Sequence, residues 1–176
     1  MIARTDEDLV ASYRAGEELA ADELVRRLAT PLGRYLYASG APTSDVEDLV
    51  QEAFFKAFKA LDSWRGESSF KSWLFRIAGN LNKDGYRRRK GRELVSIDDH
   101  DIADSSDPMG ETHANETEGR LIAELARLPR LQREVFLLRV QQGLEYGDIS
   151  VALGTTPGAA RVHYYNAVKR LKEYLR

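Results

Sequence analysis

Residues 44–92 read SDVEDLVQEAFFKAFKALDSWRGESSFKSWLFRIAGNLNKDGYRRRKGR. The spacing predicts two helices joined by a tight loop, RGESS. The first runs from Ser44 to about Asp62. Val46, Leu49, Val50, Ala53, Phe54, Ala57 and Leu61 share one of its faces at helical spacing. Asp45, Asp48 and Glu52 recur three and four residues apart on another face. Ser44 followed by Glu47 reads as a capping box. The second helix reverses the charge. Phe70, Leu74, Ile77, Ala78 and Leu81 form its apolar stripe, while Arg76, Asn80, Lys83 and Arg87 line up on another side. Residues 71–92 hold eight Lys or Arg against one acid, Asp84. An acidic helix beside a basic one suggests two partners, one positively charged and one a polyanion.

In order and spacing, DVEDLVQEAFFKAFKALDSWRGESSFKSWLFRIAGNLNKDGYRRRK resembles the promoter-melting domain of bacterial sigma factors of the extracytoplasmic-function (ECF) group. The resemblance implies that the acidic face, here Asp45, Asp48, Leu49, Gln51 and Glu52, docks on core RNA polymerase, on its beta and beta-prime subunits. It implies that the loop and the basic helix capture a flipped base of the −10 element and grip the DNA there. The residues matching that role are Trp64, Arg65, Ser69, Lys71, Trp73, Arg76, Asn80, Lys83, Arg87 and Arg88. The chemistry agrees. Extruding a base costs a few kcal/mol, and stacking on an aromatic side chain returns about 1–3 kcal/mol. Trp73, Phe75 and Tyr86 are available for that, and of the two tryptophans Trp73 is expected to be the more buried. Asn is a poor helix former, yet Asn80 sits mid-helix, and its carboxamide offers a base edge both a donor and an acceptor. Ser69 is placed to cap the basic helix.

Charge is close to balanced, with a formal net of −2 in 176 residues, but it falls in blocks. Residues 1–62 carry twelve acids and seven bases, residues 93–118 nine acids and no Lys or Arg, and residues 155–176 five bases and one acid. Such alternation points to polyelectrolyte partners rather than a small substrate. There is no cysteine, which excludes disulfides and thiolate metal sites. No apolar run approaches the roughly 20 residues of a membrane span, and MIARTDEDLVASY lacks a signal-peptide core. A cytoplasmic protein without membrane insertion is expected.

Upstream, Thr5 with Asp8 predicts a capping box that opens a helix to Ala15. A second helix is expected over about 18–38, with Leu24, Leu28, Leu32 and Leu36 inward and a kink at Pro31. Downstream, residues 93–118 read as an acidic linker with Pro108 and Gly110. The DDHDIAD cluster lacks the glycine and terminal glutamate of an EF-hand loop, so no metal is expected. The resemblance implies two promoter elements about 17 base pairs apart, or about 58 Å at 3.4 Å per pair. A 26-residue linker reaches about 85–90 Å fully extended but only about 25–30 Å as a free coil. It spans the gap only when drawn out.

From Glu118 the helical period returns in LIAELARL. Pro129 then opens LQREVFLLRVQQ, closed by Gly143. GLEYGDISVALGTTPGAARVHYYNAVKRLKEYL reads as helix–turn–helix, with a first helix over Tyr146–Leu153 and a turn at Gly154–Thr155. Thr156 caps a long helix whose first residue is Pro157. In such motifs the second helix enters the major groove. Ala160, Tyr164, Ala167 and Leu171 form its inward stripe. The segment resembles the −35-binding domain of the same sigma group, which assigns DNA contact to Thr156, Pro157, Arg161, Val162, Tyr165 and Lys169. Glu145 replaces the usual Ser or Thr cap, and His163, expected as a plain surface histidine, stands with Asn166 where the family often has basic residues.

The expected fold is therefore all-α. Two small helical domains, residues 1–92 and 119–176, are joined by an extended acidic linker, residues 93–118. The implied function is promoter recognition and opening as a dissociable polymerase subunit, without enzymatic chemistry or cofactor, and with an anti-sigma factor as a further partner. The competing reading is a stand-alone helix–turn–helix regulator, which accounts for residues 119–176 alone.

Overall fold

Three helix starts, at Thr5, Ser69 and Thr156, carry the side-chain caps their residue types favour, and the first is the clearest. Thr5 Oγ1 accepts the Asp8 amide at 3.0 Å, and Asp8 Oδ2 accepts the Thr5 amide at 3.0 Å. This reciprocal cap opens α1 (Asp6–Arg14). The computed structural model describes residues 2–93 and 114–176, which are helical with no strand among them. The helix α2 (Glu18–Ala38) runs through Pro31. Next, α3 (Thr43–Lys59) starts one residue earlier than expected. Pro42 is its N-cap and no side chain caps it, so the Ser44–Glu47 box is not formed. Proline before the first turn presets the backbone and makes a hydroxyl cap dispensable there. The chain then makes one 3-10 turn over Leu61–Ser63.

Ser69 caps α4 (Phe70–Glu93) by accepting the Ser72 amide at 3.1 Å. Then α5 (Ala114–Leu125) begins inside the stretch read as linker. The acids at Glu116 and Glu118 that gave the stretch its linker character also suit a helix N-terminus. The DDHDIAD cluster, Pro108 and Gly110 lie outside the described residues. Arg130–Phe136 forms α6, which runs on as a π-helical turn over Leu137–Gln141. The motif α7 (Tyr146–Leu153) and α8 (Pro157–Tyr174) is as expected. Gly154 makes the turn between them at φ +68°, a conformation that L side chains rarely adopt.

Helices α1–α4 pack on one another through Leu9, Leu24, Leu32, Leu36, Phe54, Phe70 and Leu74. Helices α5–α8 do the same through Leu125, Val135, Leu138, Ile149, Ala160 and Leu171. The two groups are not held apart. The helix α7 lies against α4, the π-turn lies against α2, and the buried side chains of both groups form one continuous core.

Candidate nucleic-acid interface

The acidic face of α3 is presented outward. Asp48, Gln51 and Glu52 are exposed, while Asp45 and Leu49 are half-buried at the α3–α4 seam. Asp45 forms an ion pair with Arg89 at 3.5 Å. Phe55 extends the same helix with its ring 67% exposed, a large apolar group beside the acids.

On α4 the expected line divides. Arg76, Asn80 and Arg87 are exposed, so two cations and one carboxamide of the row face solvent, while the exposed Arg88 lies round the helix on the groove lined by Asp45, Asp48 and Glu52. Lys83, on the same row, is half-buried. Burial pushes its ammonium below the ordinary lysine range, and the Glu134 carboxylate of α6 counters that shift. Lys71 is also half-buried. Its Nζ donates to the Gln142 carbonyl at 3.3 Å and lies 5.6 Å over the Phe75 ring. Burial lowers its pKa too, with Asp6 countering.

The tryptophans exchange the places expected of them. Trp64 is buried, 7% exposed, with its Nε1 donating to the Ser68 carbonyl at 3.2 Å. It packs edge-on against Phe70 at 5.9 Å, and the Arg14 guanidinium lies 5.5 Å over its ring. Arg14 also donates to the Leu61 and Trp64 carbonyls at 2.6 and 2.7 Å. That clamp draws the loop against α1 and turns the indole inward, so Trp64 cannot serve as a stacking platform. Trp73 is the half-buried one, in contact with Phe70 and Trp64. Phe75 is fully buried at 1%, which leaves Tyr86, 53% exposed, as the open aromatic of the helix. Arg65 is exposed in the loop.

Ser69 and the first turn of α4 are already engaged. The Phe70 amide donates to Glu7 Oε2 of α1 at 3.0 Å, and the Ser69 amide to Asp148 Oδ1 of α7 at 3.2 Å. Ser72 Oγ donates to the Ser69 carbonyl at 2.9 Å and lies 3.4 Å from the same Asp148 oxygen. Two carboxylates from distant elements thus satisfy orphan N–H groups of a helix start. Asp148 also lies in the first turn of α7. One carboxylate is therefore shared by two positive helix ends that would otherwise repel. Neither contact has a sequence signal, because the partners lie 63 and 79 residues apart.

Polar groups also lie at the contact between the two helix groups. Gln142 Nε2 donates to the Pro31 carbonyl at 3.0 Å. Glu134 is buried, 4% exposed, with one oxygen 3.4 Å from Arg130 Nε and the other without a hydrogen-bond partner. Burial raises the Tyr35 hydroxyl well above the ordinary tyrosine range, and Glu134 adds to that. An incompletely paired buried charge offsets much of the apolar gain at such a seam.

On α8, Thr156 Oγ1 accepts the Ala159 amide at 3.1 Å, and Pro157 follows as the first helical residue. Arg161, Val162, Tyr165 and Lys169 are all exposed, Val162 at 58% and Tyr165 at 68%. Ala160, Ala167 and Leu171 are buried, and Tyr164 is half-buried, stacked on Phe136 at 6.2 Å. Apolar side chains standing outward on a helix that follows a tight turn suit groove contact. His163 differs from expectation: it is half-buried, and its Nδ1 has no hydrogen-bond partner. Among the described residues no group of His, Asp and Glu could hold a metal ion, and no helix is long and apolar enough to cross a membrane.

Residues 24–92 match sigma-70 region 2, and residues 118–171 match sigma-70 region 4. The ECF RNA polymerase sigma-E factor of Escherichia coli K12 is 33% identical, over 93% of this chain and 90% of the relative. A solved structure of CnrH in complex with the cytosolic domain of CnrY is 27% identical. It superposes with a TM-score of 0.74 over 97% of this chain and 96% of that one. The sigma factor RpoE of Bartonella quintana, solved with the anti-sigma factor NepR, is 26% identical with a TM-score of 0.70, over 88% of this chain and 95% of that one.

Proposed function

The chain belongs to the ECF group of sigma-70-family RNA polymerase sigma factors, and on that footing we propose how its surfaces divide the work. As a sigma factor it directs core polymerase to specific promoters and promotes opening of the duplex. Residues 1–92 carry polymerase docking and −10 recognition. Asp45, Asp48, Leu49, Gln51 and Glu52 meet the beta and beta-prime subunits. Arg65, Ser69, Lys71, Trp73, Arg76, Asn80, Lys83, Arg87 and Arg88 serve the −10 DNA. Trp64 acts there only as support for the loop. Residues 119–176, with the start of α5, carry −35 recognition through Thr156, Pro157, Arg161, Val162, Tyr165 and Lys169. The acidic stretch between them is the strap that lets the two part. The protein acts in the cytoplasm without covalent chemistry or cofactor.

The observation that carries this reading is that α3 exposes acidic Asp48 and Glu52 while α4 exposes basic Arg76 and Arg87, the two helices meeting at a groove where Asp45 pairs with Arg89. One surface suits a cationic protein, the other a polyanion. A stand-alone regulator would use α7 and α8 and leave both surfaces idle.

An anti-sigma factor is the further partner. The two solved relatives superpose over 97% and 88% of this chain, and one of them is solved with an anti-sigma factor. The closed packing of α7 on α4 is the state such a partner would hold.

Runoff transcription with core polymerase and a randomised promoter library tests the function. The expected result is a discrete set of start sites that appear only when the chain is added. With Asp48→Arg and Glu52→Arg together, those starts and co-purification with core should vanish while the helical signal persists. No gain at any start site would overturn the reading.

A further inference from the structure

Arg161 stands at the exposed start of α8, and among the described residues it forms no hydrogen bond or ion pair. What it does meet is a ring. Its guanidinium carbon lies 5.2 Å from the centroid of Tyr146, the first residue of α7. That ring is itself fixed. It packs edge-on against Tyr164 at 6.3 Å, and Tyr164 stacks on Phe136. Arg139 lies 4.7 Å over the Tyr146 ring, held by its own bond to the Leu144 carbonyl at 3.0 Å and by Glu145 at 3.4 Å.

We propose that Tyr146 is a specificity-positioning residue that holds the Arg161 guanidinium ready for a guanine edge in the −35 element. The inference rests on the assignment of Arg161 to base reading. An aromatic face attracts a cation through the negative face of the ring quadrupole. It restrains the guanidinium without using any of its five in-plane N–H donors. A carboxylate neighbour would restrain Arg161 equally well but would compete for the donors that a guanine O6 and N7 need. Restraining a long side chain before binding removes part of the ordering cost at binding, and that gain falls on the base that Arg161 reads. The start of α7 does more in this arrangement than pack the motif, because it aims the reading helix's arginine.

Holoenzyme assembled from the full chain is tested on a promoter library randomised at the −35 element, with output read by sequencing. Arg161→Ala identifies the position where the guanine preference flattens. Tyr146→Leu is expected to flatten the same position, by about two- to fivefold, equivalent to about 0.5–1 kcal/mol for an exposed cation–π contact. In the Arg161→Ala background, Tyr146→Leu should add nothing at that position. Tyr146→Phe should preserve the preference. Pentafluorophenylalanine at 146, which keeps the shape and reverses the sign of the ring face, should lose it. That last variant answers the question even where leucine loosens the motif. Uniform loss across all library members, or retained preference with the fluorinated ring, would overturn the inference alone. A library that Arg161→Ala leaves unflattened would remove the base-reading assignment, and the inference with it.

Discussion

Replacing Asp148 by alanine should make the chain easier to open. The closed arrangement sets α7 on α4, whereas reading two elements about 58 Å apart, at 3.4 Å per base pair, requires them to part. Asp148 Oδ1 accepts the Ser69 amide at 3.2 Å across that contact, with Ser72 Oγ 3.4 Å away and donating to the Ser69 carbonyl at 2.9 Å. Hydrogen bonds to a charged group contribute about 1.5–3 kcal/mol each. The Ser69 bond is long, and Ser69 and Asp148 are only half-buried, so about 1.5–2 kcal/mol, the low end for one bond to a charged group, is the appropriate figure. The favourable effect of Asp148 on the α7 N-terminus is the same in open and closed chains and cancels. If the closed form dominates, apparent affinity for anything that engages both modules at once rises by the same factor as the open fraction. The expected gain is about 10- to 30-fold. Because the chain has no cysteine, Asp62→Cys and Glu173→Cys, both at exposed positions, take a donor and acceptor dye cleanly. Core polymerase is titrated in, and the concentration at which half the energy transfer is lost is recorded. With Asp148→Ala that midpoint should fall by about 10- to 30-fold. An unchanged midpoint in a variant with intact helical signal would show that the α4 N-terminus is not a latch.

Further consequences follow from single residues. Asn80→Ala should reduce −10 discrimination by about fivefold or more, the low end of a two-point base contact, while core binding measured by co-purification stays unchanged; equal loss of both refutes the assignment. Trp64→Ala should destabilise the fold by about 3–5 kcal/mol in urea unfolding; a change below about 1 kcal/mol, the range of surface substitutions and small repackings, would contradict the buried placement of the indole. Glu23 is held at about 2, below its ordinary 4.5, by hydrogen bonds from Arg26 and Arg27. A depressed carboxyl contributes stability that is present above the ordinary value and lost as pH falls towards about 2. Glu23→Gln should therefore flatten the acid limb of melting temperature against pH between about 4.5 and 2, and superimposable limbs for the two proteins would refute the contribution.

Most helices were legible because period or cap announces them locally. Thr5–Asp8 and Thr156–Pro157 form the caps their residue types predict, and the apolar periods of α2, α4 and α8 face the core as read. The exposed charge rows were legible for the same reason, since residues three and four apart share a face. Where a choice depended on neighbours outside the segment, the reading was less complete. Ser44 lost its cap to Pro42, and the acids of Glu116 and Glu118 belong to α5. Trp64 rather than Trp73 went deepest, because Arg14 of another helix draws the Trp64 loop inward.

The sequence by itself determined two sets of helices, their outward faces and the chemistry each face offers, because helical period and capping are written within a few residues. Tertiary structure alone decided that the two sets close on each other. It also decided that Glu7 and Asp148 occupy the start of α4, that Lys83 is half-buried within the field of the Glu134 carboxylate, and that Tyr146 backs Arg161. These are meetings of side chains far apart in the chain. Any one of them is an ordinary solvated acid, base or ring until packing brings its partner within reach.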